Sequence, residues 1–395
     1  MRMSEITVRE VASKADRKAF VELAYALNLT DPNWVPPLKG EVRSLITPGE
    51  NPWFEHGEAA FFLAERGGKA VGRISAQIDS LVLEHMGAGI GQWGMFEARD
   101  EDVARALLAA AEAWLRGRGM TRSMGPFSLG IWDEPGLLIE GHDHPPMVMM
   151  GHNSPAYQGW IEGAGYGGIK DLLTYDIDVT QNFPPLIQRI VASGEKNPRI
   201  RIRKVDKSRF DEEAALLMSI LNEAWSENWG FIPLTAAEIA YAGRKLRPIV
   251  VEDMILVAEY DSGSPASAGA GSPGTGFEPV AFMMGLPDIN EFIADLKGEL
   301  FPFGFLKLLW RLKRMRPKGG RVPLMGVVRK LHASRLASQL ALMMVEYIRR
   351  AGAGHYGITR SEIGWILDDN KPMISIAEAI ESRINRRYRI YEKIL

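Results

Sequence analysis

The sequence predicts a mixed α/β protein built from two similar domains in tandem, because one order of sequence features occurs twice along the chain. The first copy opens with an alternating segment, Ile6–Val11, and reaches Asn33–Trp34 after 27 residues. The second opens with Ile200–Val205 and reaches Asn228–Trp229 after 28 residues. An apolar run with helical spacing separates the two features in each copy. Equal order and near-equal spacing indicate one fold used twice.

Two later features repeat in the same order. The segment Glu112–Gly119 is echoed by Glu346–Gly352, and an Asn-x-Pro sequence occurs at Asn153 and again at Asn370. A chain of 395 residues is long enough for two domains of ordinary size. The repeats predict an N-terminal domain over residues 1–180, a linker over 181–198 and a C-terminal domain over 199–395.

In the first copy, alternation predicts a strand at Ile6–Val11, and apolar residues at helical spacing predict a helix over Asp16–Leu29. A Gly-Gly pair between Arg66 and Lys69 predicts a hairpin turn. The remaining segments are then assigned in order: strands Ala59–Ala64, Ala70–Ile78 and Gly91–Glu97, helix Asp102–Arg118, strand Arg122–Gly125, a long loop over Pro126–Pro146, strand Met147–Gly151, a helix after Pro155 and strand Leu172–Val179.

The second copy predicts the same order. Its hairpin turn is enlarged to residues 261–278, which are almost entirely Ser, Gly, Ala and Pro and predict a disordered insert. The other segments follow in sequence: strand Ile200–Val205, helix Phe210–Ser226, strands Ile255–Glu259, Val280–Gly285 and Leu324–Val328, helix Ser334–Arg350, strand Tyr356–Ser361 with Trp365–Leu367 as a candidate continuation, a helix from Pro372 and a strand near Tyr388–Tyr391.

Composition excludes several classes of chemistry. The chain has no cysteine, so disulfides and thiolate catalysis are excluded, and a metal site would need His and carboxylates alone. We predict no metal, since the crowded pair His142 and His144 lacks an identifiable third ligand and fits a solvated loop better. The N-terminus has no apolar signal core, and no run reaches the roughly 18 apolar residues of a spanning helix. These features predict a cytoplasmic protein.

The net charge of −2 hides an uneven distribution. Residues 296–395 hold 20 Lys and Arg against eight Asp and Glu, a net +12, while the rest of the chain carries −14. A basic C-terminal third favours an anionic partner such as a phosphorylated cofactor or a membrane surface. Solvated arginine faces balanced by the acidic remainder are the alternative. The sequence has none of the motifs of sequence-specific nucleic-acid binding.

The segment 301–316 combines three Phe, a Trp and several Leu with five basic residues. Lys307, Arg311 and Arg314 fall on one helical face, with Phe305 and Leu309 on the other. A basic amphipathic helix of this kind contacts a membrane interface, lines an acyl-chain pocket, or packs on the sheet. The sequence leaves these three interpretations open.

The element order resembles that of the GNAT N-acyltransferase superfamily, with two such domains in one chain. In that family a strand leads into an Arg/Gln-x-x-Gly-x-Gly/Ala loop whose amides hold the pyrophosphate of acyl-CoA at a helix N-terminus. The matching stretch is Val327–Arg335, where Arg329 keeps the basic position and His332 and Ser334 replace the glycines. The resemblance implies that acyl-CoA contacts come from these residues: Val327, Val328, Arg329, Leu331, His332, Ala333, Ser334 and Arg335. A plain strand-to-helix connection with a basic surface is the alternative.

The first copy departs from this motif. Its matching stretch, Met95–Asp102, has no glycine and four acids, which repel phosphate. We therefore expect the N-terminal domain to be degenerate. The family's second motif places an Asn after the next strand, where it contacts the pantetheine arm or orders the strand separation. Asn370 matches in the second copy and Asn153, with Tyr157, in the first, although an Asn before Pro is also a common helix cap.

Acyl transfer from a thioester to an amine needs a base for the amine, a donor for the oxyanion and an acid for the thiolate. Glu362 and Glu97, on the central strands, are the candidate bases. Tyr388 or Tyr391 is the candidate acid, because a phenol donates and is weakly acidic. Buried packing tyrosines and strand carboxylates are the alternative. The candidate acceptor-binding residues are Trp132, Asp133 and Glu134 in the long loop, with Asn153, Tyr157, Asn228 and Trp229.

The resemblance implies an acyl-CoA-dependent N-acyltransferase that uses acetyl-CoA or a longer acyl-CoA as co-substrate and a small-molecule or peptide amine as acceptor. Two alternatives stay open. The missing glycines favour a catalytically silent ligand-binding protein on the same fold. A tandem architecture also suits peptidyl or lipid-linked transfer from a carrier other than CoA.

Overall fold

The computed structural model describes residues 5–263 and 276–395. It divides into two compact units whose residues interleave along the chain. The first unit comprises Met1–Leu172, Ile293–Leu308 and Arg386–Leu395, and the second comprises Leu173–Phe292 and Leu309–Asn385. Most of the predicted insert, residues 264–275, lies outside the described residues. The strands before and after this segment pair with each other, with Asp261 opposite Phe277.

The described residues contain the alternating strands and amphipathic helices that the sequence predicts. The strands are β1 (Ile6–Glu10), β2 (Gly57–Arg66), β3 (Lys69–Asp79), β4 (Ile90–Ala98), β5 (Arg122–Gly125), β6 (Leu137–Glu140), β7 (Gly167–Asp178), β8 (Ile200–Lys204), β9 (Ile255–Asp261), β10 (Phe277–Pro287), β11 (Gly319–Val327), β12 (Arg360–Leu367) and β13 (Arg383–Ile394). The helices are α1 (Lys14–Asn28), α2 (Lys39–Leu45), α3 (Ser80–His85), α4 (Glu101–Arg116), α5 (Ala156–Gly163), α6 (Pro185–Glu195), α7 (Phe210–Trp225), α8 (Ala236–Leu246), α9 (Asn290–Ile293), α10 (Gly304–Arg314), α11 (Arg335–Ala351) and α12 (Lys371–Ala379). The predicted mixed α/β class is confirmed.

The sheet of the first unit is mixed. Its strands follow the order β1-β2-β3-β4-β5-β13, and β6 also pairs with β13. The pairs are antiparallel except for β4 and β5, which run parallel. Gly67 and Gly68, both at positive φ, form the predicted two-residue turn between β2 and β3. Such a turn matches the twist of an antiparallel hairpin.

Both faces of this sheet are covered by apolar side chains. On one face, α4 buries Val103, Leu107, Ala111 and Leu115, which recur every four residues. On the other face, the side chains of α1 pack with Trp53 and other residues in a second buried cluster. Layers on both sides of a central sheet are the arrangement that an alternating strand and helix order favours.

The second unit repeats the order of sheet pairing. Strands β8, β9, β10 and β11 are antiparallel neighbours, and β11 runs parallel to β12. Helix α11 buries Leu340, Met344 and Ile348 along one side. The parallel pair in the middle of each sheet is therefore preceded by a hairpin and connected by a long amphipathic helix, α4 in one unit and α11 in the other.

Two predicted strands need correction. The strand predicted at Tyr356–Ser361 begins instead at Arg360 and runs to Leu367, because the helical segment Gly352–Tyr356 extends α11 and ends at Gly357, which has a φ of +73°. The other predicted strand is wrong. Met147–Gly151 forms a turn, in which Met149 has a φ of +65°. The strand in this region is instead β6, within the segment predicted to be a loop. In this run Met147, Val148 and Met150 are buried and Met149 is exposed, and a short apolar run without regular alternation does not distinguish a strand from a turn. Among the helices that the structure describes, none is both long and apolar enough to cross a bilayer.

Candidate functional site

In the second unit, the two parallel central strands separate before they end. Strands β11 and β12 pair from Gly319 opposite Arg360 to Val322 opposite Ile363, although both continue for several residues. The next residues explain why pairing stops. Pro323 has no amide hydrogen to donate. Gly364 has a φ of +132° and fits so closely that a Cβ there would lie 2.8 Å from the Leu173 carbonyl oxygen.

The separation opens a mostly apolar cleft, and its empty volume of about 630 Å³ includes space that is open to solvent. Its walls come from both separated strands and from α7, α11 and α12. The indole of Trp225 lies 5.9 Å from that of Trp365, and its Nε1 donates to the Met325 carbonyl at 2.8 Å. Asn228 and Asn370 are the polar side chains among the lining residues. The cleft therefore suits an extended apolar chain that carries a few hydrogen-bonding groups.

The structure brings two of the predicted site residues to this cleft. Asn370 caps α12, because its Oδ1 accepts from the Met373 amide at 3.3 Å, so the capping interpretation describes its contact. Asn228 follows α7, and its backbone N–H donates to the Trp225 carbonyl at 2.8 Å. Trp229, the next residue, is not among the lining residues of the cleft.

The loop between β11 and α11 is closed by its own hydrogen bonds. The amides of Leu331, His332 and Ser334 donate to carbonyls three residues earlier, at 2.8–3.0 Å. The Arg329 amide donates to Glu223 Oε1 at 3.0 Å, and the Val328 amide donates to the Val280 carbonyl at 2.9 Å. These are amides that the family motif would aim at a pyrophosphate. A phosphate bound by them would have to displace these acceptors.

Side chains close the same loop. His332 Nε2 lies 2.6 Å from the Val327 carbonyl oxygen, and the Arg329 guanidinium pairs with Glu227. Ser334 caps α11, since its Oγ accepts from the Ala337 amide at 3.3 Å. The first amides of any helix have no acceptor within the helix. In α11 the backbone amides of Arg335 and the residue after it are such groups. An anion at the N-terminus of α11 would therefore meet hydrogen-bond donors without rearrangement.

Glu362, the predicted base of the second copy, lies next to the separation on β12 and is 1% exposed. Asn385 Nδ2 donates to its Oε2 at 2.9 Å, and Arg321 Nε lies 3.6 Å from its Oε1. Arg321 also donates from Nη2 to the Gly364 carbonyl at 2.6 Å. Side chains of β11 and β13 therefore hold the carboxylate, one residue before the pairing of β11 with β12 ends at Ile363. Its predicted part in proton transfer stays a prediction.

The first unit has no corresponding gap between its parallel strands in the part of the chain that the structure describes. Pairing of β4 with β5 ends at Gln92 opposite Met124. Beyond it, the Phe127 amide donates to the Trp93 carbonyl at 2.8 Å. A Cβ on Gly94 would lie 1.6 Å from the Phe127 carbonyl oxygen, so only glycine allows this approach. The chain itself fills the space that is open in the second unit.

The helix that follows β4 begins differently from α11. Asp100 caps α4 by accepting from the Val103 amide at 3.1 Å, and it also pairs with Arg66 at 2.6 Å. A carboxylate therefore occupies the helix entrance at which the second unit has Ser334. A fixed negative charge at this position opposes phosphate binding, as the sequence leads us to expect.

A second group of predicted residues lies together in the first unit. Tyr157 donates to Glu97 Oε2 at 2.9 Å, and Arg73 Nη2 lies 3.9 Å from Glu97 Oε1. Burial raises the pKa of Glu97, an effect that Glu134 increases. Glu134 is reached by solvent, yet desolvation by the surrounding protein raises its pKa as well. Ser128 donates to Glu134 Oε2 at 3.2 Å.

The remaining predicted residues have structural contacts. Trp132 and Asp133 are half-buried in the loop before β6, where the Asp133 carbonyl accepts from the Ser128 amide. Asn153 bonds both backbone groups of Leu138, at 2.8 Å and 3.2 Å.

The two predicted acids lie on β13, in the first unit. Tyr388 donates to the Gly151 carbonyl at 2.9 Å, and Tyr391 donates to Glu162 Oε1 at 3.0 Å. Burial raises the pKa of Tyr391. Sequence position placed both tyrosines in the second copy with Glu362, which belongs to the other unit.

Sequence reasoning missed Pro323, Gly364 and Trp365, which line the cleft, and Arg321 and Asn385, which contact Glu362. A usable signal was present, because Pro and Gly inside strands mark places where a ladder ends or bends. No group of three or more His, Asp or Glu that could hold a metal ion occurs within residues 5–263 and 276–395.

No family model matches the sequence. The chain is 42% identical over 395 residues to bacterial ceramide synthase of Caulobacter vibrioides, covering 99% of this chain and 98% of that protein. It is also 42% identical over 388 residues to protein YghO of Escherichia coli, covering 98% and 95% of the two chains.

Solved structures show the fold. A tandem GNAT protein from the clavulanic acid biosynthesis pathway superposes with a TM-score of 0.56 at 13% identity, over 99% of this chain and 98% of that one. A GCN5-related N-acetyltransferase from Sphaerobacter thermophilus gives a TM-score of 0.51 at 14% identity, over 98% and 95%. The predicted tandem GNAT fold is confirmed. The chain belongs to the family that includes the bacterial ceramide synthase of C. vibrioides and YghO of E. coli.

Proposed function

We propose that the protein transfers a fatty acyl group from acyl-CoA to the amine of a long-chain amino alcohol. The observation that carries this proposal is the apolar cleft between the separated strands β11 and β12. It is supported by the identity of 42% to a protein named bacterial ceramide synthase. A ceramide is the fatty amide of a long-chain amino alcohol, so both substrates of such a reaction would be largely apolar.

The donor would enter where the strands separate. Beyond Val322 and Ile363 the facing strand edges no longer bond to each other, so backbone groups there can pair with the amides of a pantetheine arm. The thioester would then lie among the apolar lining residues. The diphosphate would lie at the start of α11, near Ser334 and Arg335, where the first-turn amides and the helix dipole favour an anion. The proposal places the protein in the cytoplasm, with its acyl donor.

The reaction forms a C–N bond and breaks the C–S bond, and one proton passes overall from the amine to the thiolate. The cleft offers hydrogen bonds for the developing oxyanion from the side chains of Asn228 and Asn370. Because Asn370 already accepts from the Met373 amide with its Oδ1, its Nδ2 is the end left to donate. Both side chains can therefore donate, and we assign the oxyanion contact to Asn228, which lines the cleft together with Trp225 and Met325.

Replacing this donor tests the assignment. Loss of one oxyanion donor lowers kcat by about 10²–10³-fold in other acyl-transfer enzymes, so Asn228→Leu should have an effect of this size. Gln181→Leu, which removes an exposed amide outside the cleft lining, serves as the control. Release of the CoA thiol from a long-chain acyl-CoA, with a long-chain amino alcohol as acceptor, measures both. Equal rates for the two variants would remove Asn228 from the mechanism.

Blocking the cleft tests the site itself. Met373 lines the cleft from α12, and its neighbour Ile374 has a similar half-buried exposure without lining it. Met373→Trp should abolish long-chain acyl-CoA binding in titration calorimetry, whereas Ile374→Trp should bind normally. If both variants bind acyl-CoA as tightly as the unmodified protein, the donor does not use this cleft and the proposal is wrong.

A second candidate function is favoured by the closed loop between β11 and α11. An acyl carrier protein presents the same pantetheine thioester without the nucleotide end of CoA, so it needs no open phosphate cradle. A protein that only binds its ligand needs no turnover at all. Parallel assays with acyl-CoA and acyl carrier protein as donors separate these options. Transfer from the carrier alone would identify the donor, and binding without amide formation would indicate a silent binding protein.

A further inference from the structure

The segment 301–316 exposes an unusual amount of apolar surface. Twelve large apolar side chains are exposed among the described residues, and six of them lie within residues 301–310. Phe301 and Phe303 are 79% and 74% exposed. Scattered exposed apolar residues are normal, but a contiguous group marks a contact surface. The six are Phe301, Phe303, Phe305, Leu306, Leu309 and Trp310.

The geometry of α10 separates an outer face from an inner one. Leu306, Leu309 and Trp310 recur at helical spacing and are 54–59% exposed. The inner side is attached to the protein, because Arg311 Nη1 donates to the Phe292 carbonyl at 2.5 Å. Lys307 pairs with Asp295. The outer apolar face is therefore held outward by contacts on the other side of the helix.

The charge of the segment is of one sign. Residues 301–318 contain six Lys and Arg and no Asp or Glu. Lys313, Arg314 and Arg316 are exposed at the C-terminal end of the helix. The Arg314 guanidinium lies 4.3 Å from the centre of the Trp310 ring, so the cationic and apolar groups are adjacent. An anionic surface with an apolar layer beneath it complements this arrangement.

We propose that residues 301–316 form an interfacial helix that inserts its outer face into the surface of an anionic lipid bilayer. Protein interfaces are depleted in Lys at their core. Interfacial helices combine Trp, Phe and Leu on one face with Lys and Arg beside it, as here. The inference rests on exposure and charge alone and holds whether or not acyl-CoA is the donor. It would bring the protein to the phase in which a long-chain amine dissolves.

Co-sedimentation of the full chain with phosphatidylcholine vesicles, with and without phosphatidylglycerol, tests the proposal. The chain offers a matched pair of variants, because Leu309 and Leu186 are both 59% exposed and lie on different helices. Burial of one leucine changes an affinity by about tenfold or more, so Leu309→Ser should weaken binding by this factor. Leu186→Ser should bind as the unmodified protein does.

Two further measurements test the part played by charge and the insertion of Trp310 into the bilayer. Each basic residue near an anionic leaflet contributes about fivefold, so replacing Lys313, Arg314 and Arg316 by Gln should weaken binding on the order of 100-fold. Vesicles of brominated lipid should quench Trp310, and the quenching should be lost in Trp310→Phe. Both effects should disappear when phosphatidylglycerol is omitted or salt is raised.

Three outcomes would overturn the proposal. The first is no binding to anionic vesicles. The second is equal binding by Leu309→Ser and Leu186→Ser. The third is a change of oligomeric state in Leu309→Ser without vesicle binding by the unmodified protein, which would assign the face to a second copy of the chain. Thiol release from a short-chain, water-soluble donor should be the same in Leu309→Ser as in the unmodified protein, so failure here is distinguishable from failure of the proposed function.

Discussion

Replacing Glu362 by glutamine should destabilise the second unit strongly, although the two side chains have nearly the same size. Its carboxylate and the Arg321 guanidinium are 1% and 2% exposed, and the two groups lie 3.6 Å apart. Glu362→Gln keeps the shape and leaves a buried guanidinium without its counter-charge. Loss of one partner of a buried pair costs about 3–5 kcal/mol. For a unit of this size, such a loss lowers the melting temperature on the order of 10 °C.

Differential scanning calorimetry on matched variants measures this effect. The double variant Arg321→Met with Glu362→Met removes both charges and should regain most of the loss, because two apolar groups need no counter-charge. Asn385→Leu should cost less, since it removes one hydrogen bond of about 1 kcal/mol, or somewhat more for a charged acceptor. The reasoning fails if Glu362→Gln melts within about 2 °C of the unmodified protein while thiol release falls 100-fold or more. Glu362 would then act as the base that its position on the central strand predicts.

Two other predictions concern the first unit. Gly94→Ala should lower the melting temperature strongly, because its Cβ would meet the Phe127 carbonyl at 1.6 Å, whereas Gly40→Ala meets nothing within 4 Å and should be neutral; equal melting of the two variants would contradict the filled gap. Burial lowers the pKa of His142 and of His152 below 6.5, so the unfolded chain takes up more protons and stability should fall as the pH drops below about 6.5. Melting temperatures between pH 8 and pH 5.5 measure this slope, which should be shallower in His152→Gln; an unchanged slope would exclude this histidine.

The sequence predicted the order of elements because that order depends on local patterns. Apolar spacing identified α4 and α11, and the Gly-Gly pair identified the β2–β3 turn. The caps were also readable, since Ser334 and Asn370 both accept the helix amides expected of them. Each of these features is decided by residues within a few positions of one another.

Features that depend on distant residues were not predictable in this way. The closing of the β11–α11 loop depends on Glu223, which precedes Arg329 by 106 residues. The assignment of Tyr388 and Tyr391 to the first unit depends on the pairing of β13 with β5 and β6. For α10 the pattern predicted two faces but not which one packs. In the structure Leu309 is exposed, and Arg311 turns inward to the Phe292 carbonyl.

A few residues decide how the two copies differ at the same place in their sheets. In one copy, Pro323 and Gly364 stop the parallel ladder and leave an apolar space. In the first unit, Gly94 allows the backbone of Phe127 to approach closely enough to add one more hydrogen bond beyond the parallel ladder. The difference depends on whether a backbone amide beside the parallel pair can still donate. Pro323 has no amide hydrogen, whereas the Phe127 amide donates to the Trp93 carbonyl. Because the gap between the parallel strands is open in the second unit and filled in the described part of the first, donor binding and any second role of the buried Glu97 cluster are separable by substitution within a single unit.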